Sequence, residues 1–176
     1  MTLWTQEREL TMLGQEILDY LEEEEKGMIA IGSDHGGYEL KQEIINYFVE
    51  NRIEYKDFGC YGKGSCDYPE YGQAVAKAVA SGGYDKGIVI CTTGIGISIT
   101  ANKVKGIRCA LCSDMLSARL TREHNDANVL ALGGGIVGIN LALGIVDTFL
   151  NTEFSGEEKH CRRIAAINTL EEEMMR

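Results

Sequence analysis

The chain has 176 residues, 44% hydrophobic and 25% charged, the proportions of a single folded domain rather than a disordered or membrane-spanning protein. Its net charge of −10 excludes the basic surface that nonspecific nucleic-acid or anionic-membrane binding needs. No apolar run approaches the length of a membrane helix, and 21 glycines beside a single proline point to places where backbone geometry matters.

The acids gather at the start, where residues 1–27 carry eight of them against two bases. Leu10, Leu13, Ile17, Leu18 and Leu21 make an apolar stripe at helical spacing ahead of Glu22–Glu25, as in an amphipathic helix packed on the body or on a partner. A second reading is genetic: Glu and Lys use purine-only codons and Gly begins with GG, so Glu22–Gly27 encodes a purine tract resembling a bacterial ribosome-binding site. On that reading Met28 is the native start and residues 1–27 are an acidic extension. The N-terminus lacks the apolar region and cleavage site of a secretory signal, so a cytoplasmic protein with reduced thiols is expected. Most of the six cysteines then read as small core residues. Cys109 and Cys112 form a C-x-x-C, but with no second pair and three histidines in the chain the spacing does not build a zinc site.

From Met28 onward short β-branched runs alternate with helical patterns. Strands are predicted at Met28–Ser33, Ile53–Phe58, Lys86–Cys91, Ile107–Cys112 and Asn128–Leu132. Helices are predicted at Tyr38–Glu50, Glu70–Ala80, Ile97–Val104, Leu116–His124, Val137–Leu150 and Lys159–Glu173. The pattern predicts one α/β domain over residues 28–176, a doubly wound, Rossmann-like three-layer sandwich on a five-stranded parallel sheet. With strand order 2-1-3-4-5, the loops after the first and third strands face one crevice at the carboxyl edge, where such sheets bind ligands.

Those two loops hold the most unusual residues. Ser33-Asp34-His35-Gly36-Gly37 places an acid and an imidazole at a strand end, pointing to a functional role, against the alternative in which Asp34 merely caps the next helix. Cys91-Thr92-Thr93-Gly94-Ile95-Gly96-Ile97-Ser98 sets a thiol before a glycine loop whose N–H groups can cradle an anion. The dinucleotide fingerprint fails there, since its third glycine would fall at Ile99. A thiol at its ordinary pKa of about 8.5 is only a few per cent ionised at pH 7, so a cysteine base needs activating surroundings.

His124, in Arg122-Glu123-His124-Asn125-Asp126, ends the helix after the fourth strand and therefore points to the opposite edge of the sheet from Cys91. It serves a site at Cys91 only from a neighbouring subunit; otherwise His124 and Asn125 are a helix end and loop. Lys159, His160, Arg162 and Arg163 form a basic cluster in which Lys159 and Arg163 share a helix face, either as a phosphate clamp or as a solvated face balancing nearby acids.

Taken in order, Gly32-Ser33-Asp34-His35, Asp67-Tyr68-Pro69, the Cys91–Ser98 loop, Arg122–Asp126 and Lys159–Arg163 resemble type B ribose-5-phosphate isomerases, in the family shared with galactose-6-phosphate isomerase subunits, from about Met28 to Leu170. The resemblance implies interconversion of an aldose and a ketose phosphate, ribose 5-phosphate and ribulose 5-phosphate of the pentose phosphate pathway, without metal or organic cofactor. It implies Cys91 as the base that moves a proton between C1 and C2, Thr93 and His124 in ring opening, and Asp34 orienting hydroxyls. His35, Lys159, Arg163 and His160 would hold the phosphate, with Tyr68, Gly94, Gly96, Ser98 and Asn125 as further substrate-binding positions. It also implies homodimers with shared sites, or tetramers built from them. Three positions depart from the family's pattern: Thr92 stands where glycine is usual, Lys159 replaces an arginine fork, and Gly135 stands where some members carry a phosphate-binding arginine. The same chemistry on a hexose 6-phosphate or tetrose 4-phosphate, or a noncatalytic sugar-phosphate-binding protein, are the alternatives.

Overall fold

The computed structural model describes residues 27–174. The acidic extension predicted over residues 1–27 thus lies, apart from Gly27, outside the described residues. Five strands, β1 (Ile29–Ser33), β2 (Tyr55–Asp57), β3 (Lys86–Cys91), β4 (Cys109–Leu111) and β5 (Val129–Gly133), form one parallel sheet. Among the described residues six helices, α1 (Tyr38–Asn51), α2 (Tyr68–Ala80), α3 (Ile95–Ala101), α4 (Met115–Asn125), α5 (Ile139–Asn151) and α6 (Glu158–Met174), alternate with and follow the strands. From Met28 onward the predicted elements all form, with ends moved by a few residues; β2 and β4 shrink to three residues each at the two edges of the sheet.

A helix follows every strand and returns the chain to the amino edge, which makes the sheet parallel and covers both its faces, and the burial alternates with the pleat. Ile29, Ile31, Ile88, Ile90, Leu130 and Leu132 pack against Ile44 and Phe48 of α1 and Ile145 and Phe149 of α5. The residues between them, Ala30, Val89, Cys91, Val129 and Ala131, face Val75 and Val79 of α2 and Ile97 of α3. Small residues on this second face, Gly87 above all, make room for helix α2: a Cβ on Gly87 would stand 2.8 Å from Val75 Cγ1.

The strand order corrects the expectation. It is β2-β1-β3-β5-β4 and not 2-1-3-4-5, so β5 lies between β3 and β4. The physical reason is burial: all five residues of β5 are buried, whereas β4 is half-buried and exposes Leu111, as suits an edge. Central strands must cover two apolar faces, and Val129–Leu132 does this where Cys109–Leu111 does not. The consequence for the crevice is that the glycine loop following β5, and not the loop after β4, stands beside the Cys91 loop. Cys91 pairs in register with Gly133, and Gly134 and Gly135 donate to the carbonyls of Cys91 (2.8 Å) and Thr92 (2.9 Å).

Of the cysteines expected in the core, Cys60, Cys91 and Cys112 are buried, Cys66 and Cys109 are half-buried, and Cys161 is exposed; all six are free thiols. Burial pushes the Cys109 thiol upward and Cys112 to about 11, so this pair packs as neutral thiols.

Candidate active site

Three loops converge at the carboxyl edge, after β1, β3 and β5, and glycines let them touch. A Cβ on Gly36 would overlap the Thr92 hydroxyl, one on Gly134 would stand 2.9 Å from the Gly36 carbonyl, and one on Gly133 would stand 2.7 Å from the Thr93 carbonyl. Asp34, 5% exposed, sits at the end of β1, where its Oδ1 accepts the Gly37 N–H at 3.0 Å. The N-cap of α1 is Gly37 without a side-chain cap bond, so Asp34 does not cap the helix but closes the turn before it with one oxygen, and that turn leaves the second oxygen unused.

Cys91 ends β3 with its side chain 4% exposed. Gly94, in the left-handed region at φ 76°, turns its N–H onto the Cys91 sulfur at 3.1 Å. A donor aimed at the sulfur steadies negative charge there. Ile95 N–H reaches Thr93 Oγ1 at 3.3 Å, and the N–H groups of Gly96 and Ile97, in the first turn of α3, have no helical acceptor. Ser98 is buried and spends its hydroxyl on the Ile95 carbonyl at 2.8 Å, so it steadies the turn. Tyr68, the first residue of α2, lays its ring on Gly96: a Cβ there would stand 2.5 Å from Tyr68 Cζ. His35 is exposed, with Nδ1 3.2 Å from both the N–H and the carbonyl of Cys66, one of which it serves in each tautomer.

The remaining predicted residues gather elsewhere. α4 runs back across the sheet and ends beside the starts of β4 and β5, where Arg108 bonds the carbonyls of Asn125 (3.0 Å) and Asp126 (2.8 Å). His124 is therefore at the amino edge of the sheet and Cys91 at the carboxyl edge. There His124 stacks on His160, ring centroids 4.3 Å apart and 9° from parallel. His160 is buried, its Nε2 has no partner, and burial first, then the charge of His124, lowers its pKa. Asn125 ends the helix, exposed, before the left-handed cap at Asp126. Lys159 pairs with Glu157 at 2.7 Å, and Arg163 is exposed one turn further along α6. Arg122 holds the helix end in place, donating to Asp126 Oδ1 (2.8 Å) and the Ala127 carbonyl (2.7 Å). A cavity of ≈ 640 Å³ opens on this side between α6 and the start of β4, lined by Ile107, Cys109, Ile167, Leu170 and Met174.

Sequence reasoning missed two supports of the carboxyl edge. Lys41, fully buried, places its ammonium on both Asp57 oxygens (2.6 and 2.7 Å) and on the Cys60 carbonyl (2.7 Å), tying β2 to the loop that leads to Tyr68. Its signal was legible as a lysine in the apolar stripe with Ile44 and Phe48. The link of Cys66 to His35, 31 residues apart, left no signal in spacing.

The parallel sheet, the switch in crossover direction beside β1 and β3, and polar side chains at the carboxyl edge define a Rossmann-like small-molecule site. The ribose/galactose isomerase family model matches residues 29–167, and the chain belongs to that family of sugar-phosphate isomerases. It is 49% identical over 144 residues to ribose-5-phosphate isomerase B of Escherichia coli, covering 82% of this chain and 96% of that one. It is 41% identical over 143 residues to the galactose-6-phosphate isomerase subunit LacB of Clostridium acetobutylicum, covering 81% of this chain and 83% of that one. The structure of Clostridium thermocellum ribose-5-phosphate isomerase B superposes with a TM-score of 0.82 at 54% identity, covering 84% of this chain and 99% of that one.

Proposed function

We propose that this enzyme interconverts ribose 5-phosphate and ribulose 5-phosphate through an enediolate, with Cys91 as the base and no cofactor. The observation that carries the reading is the buried Cys91 thiol at the end of a central strand, with the Gly94 N–H on its sulfur. His124, with help from Thr93, moves the protons that open the sugar ring. The Cys91 thiolate then takes the proton from C2 of the aldehyde, the electron pair forms the C1–C2 double bond, and charge passes to O1. The N–H groups of Gly96 and Ile97 meet that charge in a preorganised array. Return of the proton to C1, with the O2 hydroxyl proton passing to O1, yields the ketose with nothing gained or lost. Asp34 orients the hydroxyls through its second oxygen. His35, Lys159 and Arg163 hold the phosphate, with His160 beside them.

The active unit on this reading is a homodimer in which His124, Asn125, Lys159, His160 and Arg163 of one protomer complete the crevice of the other. Their separation from Cys91 across the sheet supports it. So do the exposed apolar residues Ile95 and Ile99 beside the crevice and Ile167 and Leu170 on α6, surfaces that a partner would cover.

The test is turnover of ribose 5-phosphate, allose 6-phosphate, galactose 6-phosphate and erythrose 4-phosphate by the wild type and by Cys91→Ala. Best turnover of ribose 5-phosphate, lost in the variant, is expected. Preference for a hexose phosphate would move the substrate to six carbons, in keeping with the galactose-6-phosphate relative; full activity of Cys91→Ala would remove the thiol base.

A further inference from the structure

We propose that His160 is a positioning residue for ring opening: its imidazole is the plate on which His124 lies, and it sets the plane of that ring without engaging either of its nitrogens. The role rests on the assignment of ring opening to His124 made above; the stack itself does not.

The backbone brings the two rings together from separate helices. Arg122, 6% exposed and two residues before His124 in α4, donates through Nε to the Thr152 carbonyl at 3.1 Å. The Ser155 N–H donates to the Glu123 carbonyl, also at 3.1 Å. The end of α4 is thereby tied to the segment that leads into α6. At the start of α6 the His160 N–H bonds the Glu157 carbonyl at 2.8 Å, and the His160 side chain is buried. The result is a face-to-face pair, with centroids 4.3 Å apart and planes 9° from parallel.

A fixed backbone still leaves an imidazole two torsions, and the outer one, χ2, is broad. A functional histidine is ordinarily oriented by a hydrogen bond at one ring nitrogen, which also commits its tautomer. Among the described residues the His124 ring makes no such bond, and it lies instead on the face of His160. The nearby carboxylates are engaged with other cations, Glu157 with Lys159 at 2.7 Å and Glu123 with Arg119 at 3.9 Å. A stacked face restrains χ2 by contact and leaves both nitrogens unspent. Ring opening asks for that freedom. A proton leaves the anomeric hydroxyl, C1=O1 forms as the bond from C1 to the ring oxygen breaks, and a proton reaches the ring oxygen. An imidazole with two unspent nitrogens can take the first proton and supply the second.

His160 differs in this from its neighbours on α6. Lys159 and Arg163 are exposed cations, whereas His160 Nε2 is buried with no partner, out of reach of a phosphate docking on those two side chains. Burial first, then the charge of His124, lowers the His160 pKa, so the plate is neutral at pH 7.

The experiment compares the full-length wild type with His160→Leu, which keeps apolar volume but loses the planar face, and with His160→Phe, which restores the face without nitrogens. It reads turnover of ribose 5-phosphate, inhibition by inorganic phosphate, and the imidazole proton NMR spectrum, which holds only three histidines. His160→Leu should lower kcat ~10-fold or more with KM and the phosphate inhibition constant unchanged, and His160→Phe should recover most of that loss. The His124 ring protons, assigned by their disappearance in His124→Asn, should be shifted upfield by the neighbouring ring current in the wild type and in His160→Phe, and not in His160→Leu. His160→Gln replaces the leucine variant if the latter fails to fold. A rise in KM and in the phosphate inhibition constant at unchanged kcat would make His160 a phosphate ligand and overturn the proposal. Equal loss of kcat in His160→Leu and His160→Phe would give the role to a ring nitrogen and overturn it too, as would wild-type kcat in His160→Leu or unshifted His124 protons in the wild type. If the wild type turned over no phosphosugar, the ring-opening assignment would fall, and the proton shifts would still decide whether His160 holds the ring.

Discussion

Gly94→Ala tests the joint between backbone geometry and chemistry. Gly94 has φ 76°, a region that costs an L-residue ~1–2 kcal/mol. An added Cβ would stand 2.5 Å from Leu111 Cδ1 and 2.8 and 2.9 Å from the carbonyl carbon and oxygen of Leu132. Leu111 is at the exposed edge and can swing aside, but the Leu132 carbonyl belongs to the central strand β5 and cannot. Overpacking of that kind adds about 1–3 kcal/mol, for a total loss of ~2–5 kcal/mol against a domain stability of ~5–15. The loop relieves the clash by lifting away from β5, which takes the Gly94 N–H off the Cys91 sulfur; loss of one preorganised donor lowers kcat by ~100-fold or more. The control is Gly82→Ala, at φ 82° with open space around its Cβ, which should lose only the ~1–2 kcal/mol of backbone cost and keep full kcat. Urea unfolding and steady-state kinetics on ribose 5-phosphate measure both. Equal stability and equal kcat for the two variants would refute the account of a loop pinned against β5 to direct a donor at sulfur.

Lys41→Met strands the Asp57 carboxylate; because that carboxylate is 19% exposed and keeps the Gly59 N–H, the loss of ~3 kcal/mol should sit at the low end for a broken buried pair, with Asp57→Asn added in the same chain recovering part of it in urea melts. His160 has its pKa lowered in the folded state, so the unfolded chain binds more protons and stability falls as pH drops through the ordinary histidine value of about 6.5; the melting temperature of the wild type should decline more between pH 7.5 and 5.5 than that of His160→Gln. Mixing Cys91→Ala with His124→Asn, each inactive on cyclic substrate alone, should restore about a quarter of wild-type activity, since half the dimers are mixed and one of their two sites is intact. No recovery after co-refolding would place His124 outside the shared site.

The fold was legible because the pleat and the burial speak the same language. Ile29 and Ile31 face one helix layer and Ala30 the other, so β1 reads as a continuous apolar run, as a strand covered on both faces must. Strand order was not legible: Cys109–Leu111 and Val129–Leu132 are both apolar in sequence, and that β5 is covered on both faces while β4 is left at the edge shows only in the folded burial. The carboxyl-edge residues Asp34, Cys91 and Thr93 could be read from sequence because every parallel strand delivers its following loop to that edge. The contacts that hold them could not. Lys41 meets Asp57 across 16 residues, Cys66 meets His35 across 31, and His124 meets His160 across 36, each through a tertiary approach that no local period encodes.

The same rule that made Cys91 legible also accounts for the distance of His124. A strand that ends at the carboxyl edge sends its chain into a helix that must return to the amino edge before the next parallel strand begins. A residue at the end of such a helix cannot join a residue at the end of a strand within one protomer, whatever order the strands take. The insertion of β5 therefore changes which glycine loop walls the crevice and leaves the position of His124 untouched. The His124–His160 stack adds a constraint of its own, since it fixes α4 and α6 to each other and carries Lys159 and Arg163 along with the imidazoles as one unit. On the proposed reading that unit is a preassembled surface presented outward, and the Cys91 crevice of a second copy is the acceptor it would match, with the proposed thiol base and hydroxyl-orienting carboxylate on one side and the proposed ring-opening imidazole and phosphate-binding cations on the other.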